Sequence, residues 1–335
     1  MIKQLEIESF GPIESIRWED LQQINIITGK NSAGKTTLLK ALYAAIRSVE
    51  QYQRGKEPRS LKEILSDKLY WTFQVNSLGE LVCKKTSGAL RFSFQSKNNE
   101  QLRFEFGETT NRTINKIENT FQPRKENSIF LPAKEILSLQ DTIMRVRDEW
   151  KMFGFDDTYY DLAKALSPTK KGKNLKSFSE ARKQLSEAIG GSIQYDDKQK
   201  AWTFESNDKG RYAIDITAEG IKKVSILDAI LGNHYLSRDS IIFIDEPESA
   251  LHPELISKFM DIICALAKDG IQFFIATHSY FVIKKLYINA NKQNLKIPLL
   301  SFKDEGIELS NLKDGIADNP IVGESVRLYE EELDL

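Results

Sequence analysis

The sequence predicts an α/β fold in which a parallel core carries a phosphate-binding loop, with an antiparallel sheet and a helical lobe attached. Three observations predict it. A β-branched run, Ile24-Asn25-Ile26-Ile27-Thr28, leads into Gly29-Lys30-Asn31-Ser32-Ala33-Gly34-Lys35-Thr36, and that loop leads into Thr37–Ile46, whose apolar spacing is helical. Strand and helix patterns then alternate from 240 to 288, as parallel strands with crossover helices require. Between these regions, short strand-like runs at 70–75, 80–83 and 102–106 are broken by Ser-Leu-Gly and Ser-Gly turns, as in an antiparallel sheet.

Taken in order, residues 2–9 and 13–18 read as two strands joined at Phe10-Gly11-Pro12, where glycine and proline supply the turn. A helix over 34–50 follows the loop, and a second helical stretch lies near 60–68. Ser128-Ile129-Phe130-Leu131 is a short buried strand ended by Pro132. Mixed charge and many aromatics then mark a helical lobe over 135–190. Within it, Lys170, Lys171, Lys173 and Lys176 cluster beside Pro168 and Gly172, either as a solvated loop or as a nucleic-acid or partner contact. Strands return at 192–205 and 211–216, and Thr217 is the expected N-cap of a helix running through Leu231. The acidic stretch 329–334 reads as a solvated end. The division is 1–131 for the first part of a nucleotide lobe, 132–192 for the helical lobe, 193–310 for the second part of the nucleotide lobe, and 311–335 for a tail.

Bulk properties exclude several classes. The 335 residues can bury a large core, and 47 Lys+Arg against 48 Asp+Glu give a net charge of −1, so any basic surface is local. Two cysteines, Cys83 and Cys264, lie far apart with no Cys-x-x-Cys or Cys/His grouping, which argues against a disulfide framework or a zinc site and for a reduced, cytoplasmic setting. The N-terminus alternates polar and apolar residues without a signal-peptide h-region, and no apolar run reaches the ~18 to 20 residues of a membrane span.

The chemistry sits at three places. The strand–loop–helix at Gly29–Thr36 aims backbone N–H groups and a helix dipole at one point, which suits a polyphosphate. Asn31, Ser32, Ala33, Gly34 and Thr37 belong to that cradle. Lys35 is placed to reach the β/γ phosphates and the Thr36 hydroxyl to hold Mg²⁺. The apolar strand Ser240–Ile244 ends in Asp245-Glu246, where Asp245 would join the Mg²⁺ shell and Glu246 would orient or activate the attacking water. A third strand, Gln272–Thr277, ends at His278, one of only three histidines. It is either a sensor of the γ-phosphate or a structural cap.

As a set, Gly29–Thr36, Thr217–Gly220, Ile241–Glu246, Ser249–Pro253 and Thr277-His278 resemble the ABC-type ATPases, and within them the soluble branch of SMC, RecF and OLD-like (overcoming-lysogenization-defect) proteins. Phe10-Gly11-Pro12-Ile13 also resembles the first turn of that branch. The resemblance covers about 1–50 and 210–290. It implies a P-loop NTPase head of ABC-ATPase type, ATP and Mg²⁺ as ligands, Glu246 as catalytic base, a D-loop at 249–253 and a switch histidine at His278. It further implies that two heads pair head to tail, each signature helix completing the partner's site. In the signature the family has serine two residues before its second glycine; with Gly220 as that glycine, Ala218 stands there, so either Thr217 substitutes or the helix N-terminus and Gly220 alone meet the phosphate. The Q-loop position falls on Lys134, Glu135 or Gln122. No long heptad run provides an SMC coiled coil, and the chain after residue 290 is too short for an OLD nuclease domain. The reading is therefore a homodimer or higher oligomer controlling a separately encoded effector, a nuclease or toxin, in phage defence or DNA maintenance. The alternative is a RecF-like repair ATPase that binds DNA. A transporter subunit is disfavoured because the Ser-Gly-Gly signature is missing, and no membrane contact is expected.

Overall fold

The computed structural model describes residues 1–335 except 57, 87, 168–173, 197, 200, 305 and 317–319. Lys170, Lys171 and Lys173 of the expected lysine cluster lie outside the described residues. The chain opens with β1 (Ile2–Phe10), β2 (Ile13–Trp18), β3 (Ile24–Gly29) and α1 (Lys35–Gln51). Next comes α2 (Leu61–Phe73), started by a capping box in which the Ser60 hydroxyl and the Glu63 carboxylate each satisfy the other's backbone N–H. Three strands follow, β4 (Leu90–Ser96), β5 (Gln101–Phe106) and β6 (Lys116–Asn119), and then β7 (Ile129–Leu131). The lobe contains α3 (Gln140–Asp148), α4 (Asp157–Leu166) and α5 (Lys176–Ile189), and a small sheet of β8 (Gly191–Asp196), β9 (Ala201–Ser206) and β10 (Gly210–Ala213) leads back to the core.

The second half runs α6 (Glu219–Gly232), β11 (Ile241–Asp245), α7 (Pro253–Lys268), β12 (Gln272–Ala276), α8 (Tyr280–Gln293), β13 (Pro298–Lys303), β14 (Gly306–Asn311) and α9 (Pro320–Leu333). Six strands form the central sheet in the order β14-β13-β3-β12-β11-β7, parallel except for β14. Apart from the edge strand β14, its strands are buried on both faces. Phe243 and Phe274 point toward α1 and the antiparallel sheet β2-β1-β4-β5-β6, while Ile242 and Phe273 join the core beneath α6, α7 and α8.

Two sequence expectations are corrected here. Residues 70–73, expected as strand, are the last turn of α2, and 78–81 form a 3-10 turn. Tyr70-Trp71-Thr72-Phe73 has strand-like composition, yet Leu61, Leu65, Leu69 and Thr72 are buried at helical spacing, so tertiary packing overrides local preference. The N-cap of α6 is Ala218, not Thr217. Residues Ile214–Ile216 wind into a 3-10 turn that ends at Thr217, whose hydroxyl donates back to the Ala213 carbonyl and is unavailable to the helix.

The helical lobe is tied to α2 and α1 by polar and charged contacts. Lys68 Nζ lies 2.9 Å from Asp157 and 2.7 Å from Asp161 of α4, and the Tyr43 hydroxyl donates to the same Asp161 carboxylate at 2.8 Å. One turn nearer the loop, Lys40 meets Asp156, the N-cap of α4, at 2.6 Å. Each carboxylate is paired, which such burial demands. The lobe is thus in direct contact with the helix that starts at Lys35.

Candidate functional site

Parallel strands deliver their C-terminal ends to one edge of the sheet, and the site is built there. β3 ends at Gly29, β11 at Asp245 and β12 at Ala276, with β12 lying between the other two. Gly29 has φ 144°, and a Cβ there would stand 2.7 Å from that of Phe302 on β13, so only glycine lets the chain turn. Gly34, at φ 108°, caps α1 against Pro12 and Ile13 of the β1–β2 turn. Asn31 and Ser32 are exposed at the loop tip, whereas Gly34 and Lys35 are buried. The Thr37 methyl lies close to Gly11, and Thr36, Thr37, Lys40 and Asp156 line a cavity of about 240 Å³ with Thr72, Phe73 and Gln74 of the α2 end.

Lys35 folds over the loop it follows, donating to the carbonyls of Gly29 and Lys30, both at 2.8 Å. Burial lowers its pKa, and the carboxylates of Glu246, Asp245 and Glu248 oppose that shift. The Thr36 hydroxyl donates to Asp245 Oδ2 at 2.9 Å. Burial raises the Asp245 pKa; the Thr36 hydrogen bond works against the rise and Glu246 adds to it. A hydroxyl and a carboxylate, both oxygen donors, fit Mg²⁺, which takes one or two protein oxygens and fills its octahedron with phosphates and water.

Glu246 stands on a strained turn. Its φ is 48° and that of Ala250 is 61°, conformations that cost about 1 kcal/mol or more for such residues. The turn is held by the Glu246 amide on the Ala276 carbonyl at 2.9 Å and by Lys223 Nζ, which donates to the Glu246 carbonyl and, at 3.3 Å, to that of Ala133. His278 Nδ1 lies 3.3 Å from Glu246 Oε1 and 3.4 Å from Glu248 Oε1. Glu248 in turn accepts from the Thr277 hydroxyl and the His278 amide, each at 2.9 Å.

The structure thus brings Lys35, Thr36, Asp245, Glu246 and His278 to one edge. Thr217 and Gly220 are elsewhere. Gly220 is pressed against the 249–251 turn, where a Cβ would come within 2.4 Å of the Ala250 carbonyl oxygen, and among the described residues neither Thr217 nor Gly220 hydrogen-bonds to the Gly29–Thr36 loop. Glu135 faces Lys222 of α6 at 3.7 Å, Lys134 is exposed, and the Gln122 amide donates to Glu100 on the far side of the antiparallel sheet.

Lys223 and Glu248 carried no signal of their own in the sequence, because lysine on a helix and glutamate in a turn ordinarily face water. Burial pulls Lys223 down to a pKa of about 8, against the pull of Glu248, Asp245 and Glu246. Its ammonium is therefore intact below that pH and loses a donor above it. With its pKa held below the usual lysine value, its charge opposes folding most fully below pH 8, and that penalty fades as pH rises toward the ordinary lysine range. The wild-type rate is expected to fall through about pH 8, and Lys223→Met is expected to lower ATP turnover about 10- to 100-fold by loosening the Glu246 turn and to lack that fall. A rate–pH profile of both proteins checks this; identical alkaline limbs would reject it.

Comparison with known proteins bears on the family and the fold. Residues 24–284 match the family model described as "AAA domain, putative AbiEii toxin, Type IV TA system". The chain belongs to this AAA-domain family. As an AAA-domain protein it is also similar in fold to an SMC head bound to the C-winged helix domain of ScpA, at 14% identity and a TM-score of 0.58, over 92% of this chain and 97% of that one. A second SMC head, from Pyrococcus furiosus and bound to the C-terminal domain of ScpA, matches at 13% identity and a TM-score of 0.53 over 98% of each chain. The glutamate transport ATP-binding protein GluA of Corynebacterium glutamicum is 29% identical over 80 residues, 24% of this chain and 31% of its own length. The match thus spans about a third of that relative. The AAA-domain protein thus has the fold of an SMC head, with the Gly29–Thr36 loop set in its AAA domain. Among the described residues, no helix is long and apolar enough to cross a membrane.

Proposed function

We propose that this chain is a Mg²⁺-dependent ATPase whose heads pair head to tail around ATP, and that the pairing regulates a separate effector, a nuclease or toxin, in phage defence or DNA maintenance within the cytoplasm. The carrying observation is the convergence of Lys35, the Thr36–Asp245 pair, Glu246 and His278 on one sheet edge. In this reading the Gly29–Thr37 backbone and Lys35 bind the phosphates. Thr36 and Asp245 hold Mg²⁺, which supplies charge neutralisation to the phosphate oxygens when bound. Glu246 takes the proton of the attacking water, and His278, touching Glu246, orients it and contacts the γ-phosphate.

The other half of the site comes from a second copy. Gly220 lies against the 249–251 turn, and among the described residues neither it nor Thr217 hydrogen-bonds to the Gly29–Thr36 loop, which is why they serve a partner's nucleotide rather than their own in this reading. Sedimentation of the wild-type protein with Mg²⁺ and a slowly hydrolysed ATP analogue is expected to give a dimer or larger assembly, and with ADP a smaller species. A single species under both conditions overturns the pairing. Duplex DNA added to the ATP-bound form, with binding that falls steeply with salt, would instead select the RecF-like alternative.

A further inference from the structure

The last helix presents a surface that the ATPase reading leaves unused. Along α9, Val322, Val326, Tyr329 and Leu333 follow one another at spacings of four, three and four, which places them in one stripe about 60° wide. The helix packs against α8, and Ile321 joins the main core. Past that point the stripe meets solvent: Val326 is 48%, Tyr329 61% and Leu333 68% exposed. Glu330 and Glu332 flank it on either side. Over 324–335 five carboxylate side chains face a single guanidinium, Arg327, which is itself paired with Glu324 and Glu331.

A helix of this length is marginal in water without tertiary contacts. An apolar stripe over its exposed turns argues for a cover. A second α9 is a poor cover, because each edge of the stripe would set glutamate against glutamate. The complementary surface is apolar at its centre and basic at its rim.

We infer that α9 is a docking helix for a separate protein, which receives the Val326–Tyr329–Leu333 stripe in an apolar groove bordered by lysine and arginine. The helix-in-groove mode uses such i, i+3, i+7 anchors. α8, on which α9 rests, begins directly after His278 and Ser279, so the docked protein sits one helix from the site. Identifying that protein with the regulated effector rests on the function proposed above; the docking itself does not.

The test uses the full chain and a labelled synthetic helix of three heptads, leucine at a and d and lysine at e and g, followed by fluorescence anisotropy. Binding is expected at low salt, weakening about tenfold as salt rises from ~0.05 to ~0.5 M. The double variant Tyr329→Ser, Leu333→Ser is expected to bind about 100-fold more weakly while retaining wild-type ATP turnover. A matched helix with glutamate at e and g should not bind. Equal binding of the two helices, or of the wild-type and variant chains, overturns the inference. So does concentration-dependent self-association that the double variant abolishes, since it would assign the stripe to a second copy. The Lys35→Ala variant is expected to keep helix binding, so a failed ATPase reading and a failed docking surface give different results.

Discussion

Glu246→Gln is expected to lower ATP hydrolysis by about 10²- to 10⁴-fold, the range a positioned general base contributes, while nucleotide binding persists. The amide keeps the size of the carboxylate but cannot accept the proton of water. Its neighbours should hold it in place: the amide of residue 246 still donates to Ala276, and Lys223 still holds its carbonyl. Because turnover, not binding, is blocked, ATP should accumulate on the protein and the paired state should persist. Single-turnover hydrolysis and fluorescent-ATP titration separate the two effects. Hydrolysis at the wild-type rate would remove Glu246 from the role of base.

Lys35→Ala is expected to weaken ATP binding by about 10- to 150-fold, the loss of a charge-assisted contact worth about 1.5–3 kcal/mol. In the structure its ammonium already bridges the carbonyls of Gly29 and Lys30, so the lysine braces the loop as well as offering charge. The variant should therefore lose the rise in Tm that Mg²⁺ and ATP give the wild-type protein. An undiminished rise would show that the phosphates are held without Lys35.

Much of this arrangement was legible in the sequence because it depends on short spacings. The strand, loop and helix at Ile24–Ile46 are contiguous, and the loop's glycines and lysine have a meaning fixed by backbone geometry. Asp245-Glu246 and His278 each follow an apolar strand, and parallel strands can only bring such ends to the same edge. The strand-like composition of 70–75 misled for the opposite reason. Aromatic residues favour strands in general, but here α2 needs Leu69 and Thr72 on one helical face to cover α1.

The sequence by itself determined the glycine loop between β3 and α1, the carboxylate pair after β11, the histidine after β12 and the α/β class, since each is written in neighbouring residues and a period of two or 3.6. Only the tertiary structure decided that Lys223 braces Glu246 from 23 residues away, that Glu248 binds the Thr277-His278 strand end, that Ala218 rather than Thr217 starts α6, and that the α9 stripe faces water. For Lys223 and Glu248 the physical reason is that a charged side chain acquires its role from what the fold places against it, a neighbour outside any local window of the chain; the exposure of the α9 stripe depends on where packing against α8 stops, and the start of α6 on the Ile214–Ile216 turn, after which the Thr217 hydroxyl is taken by Ala213.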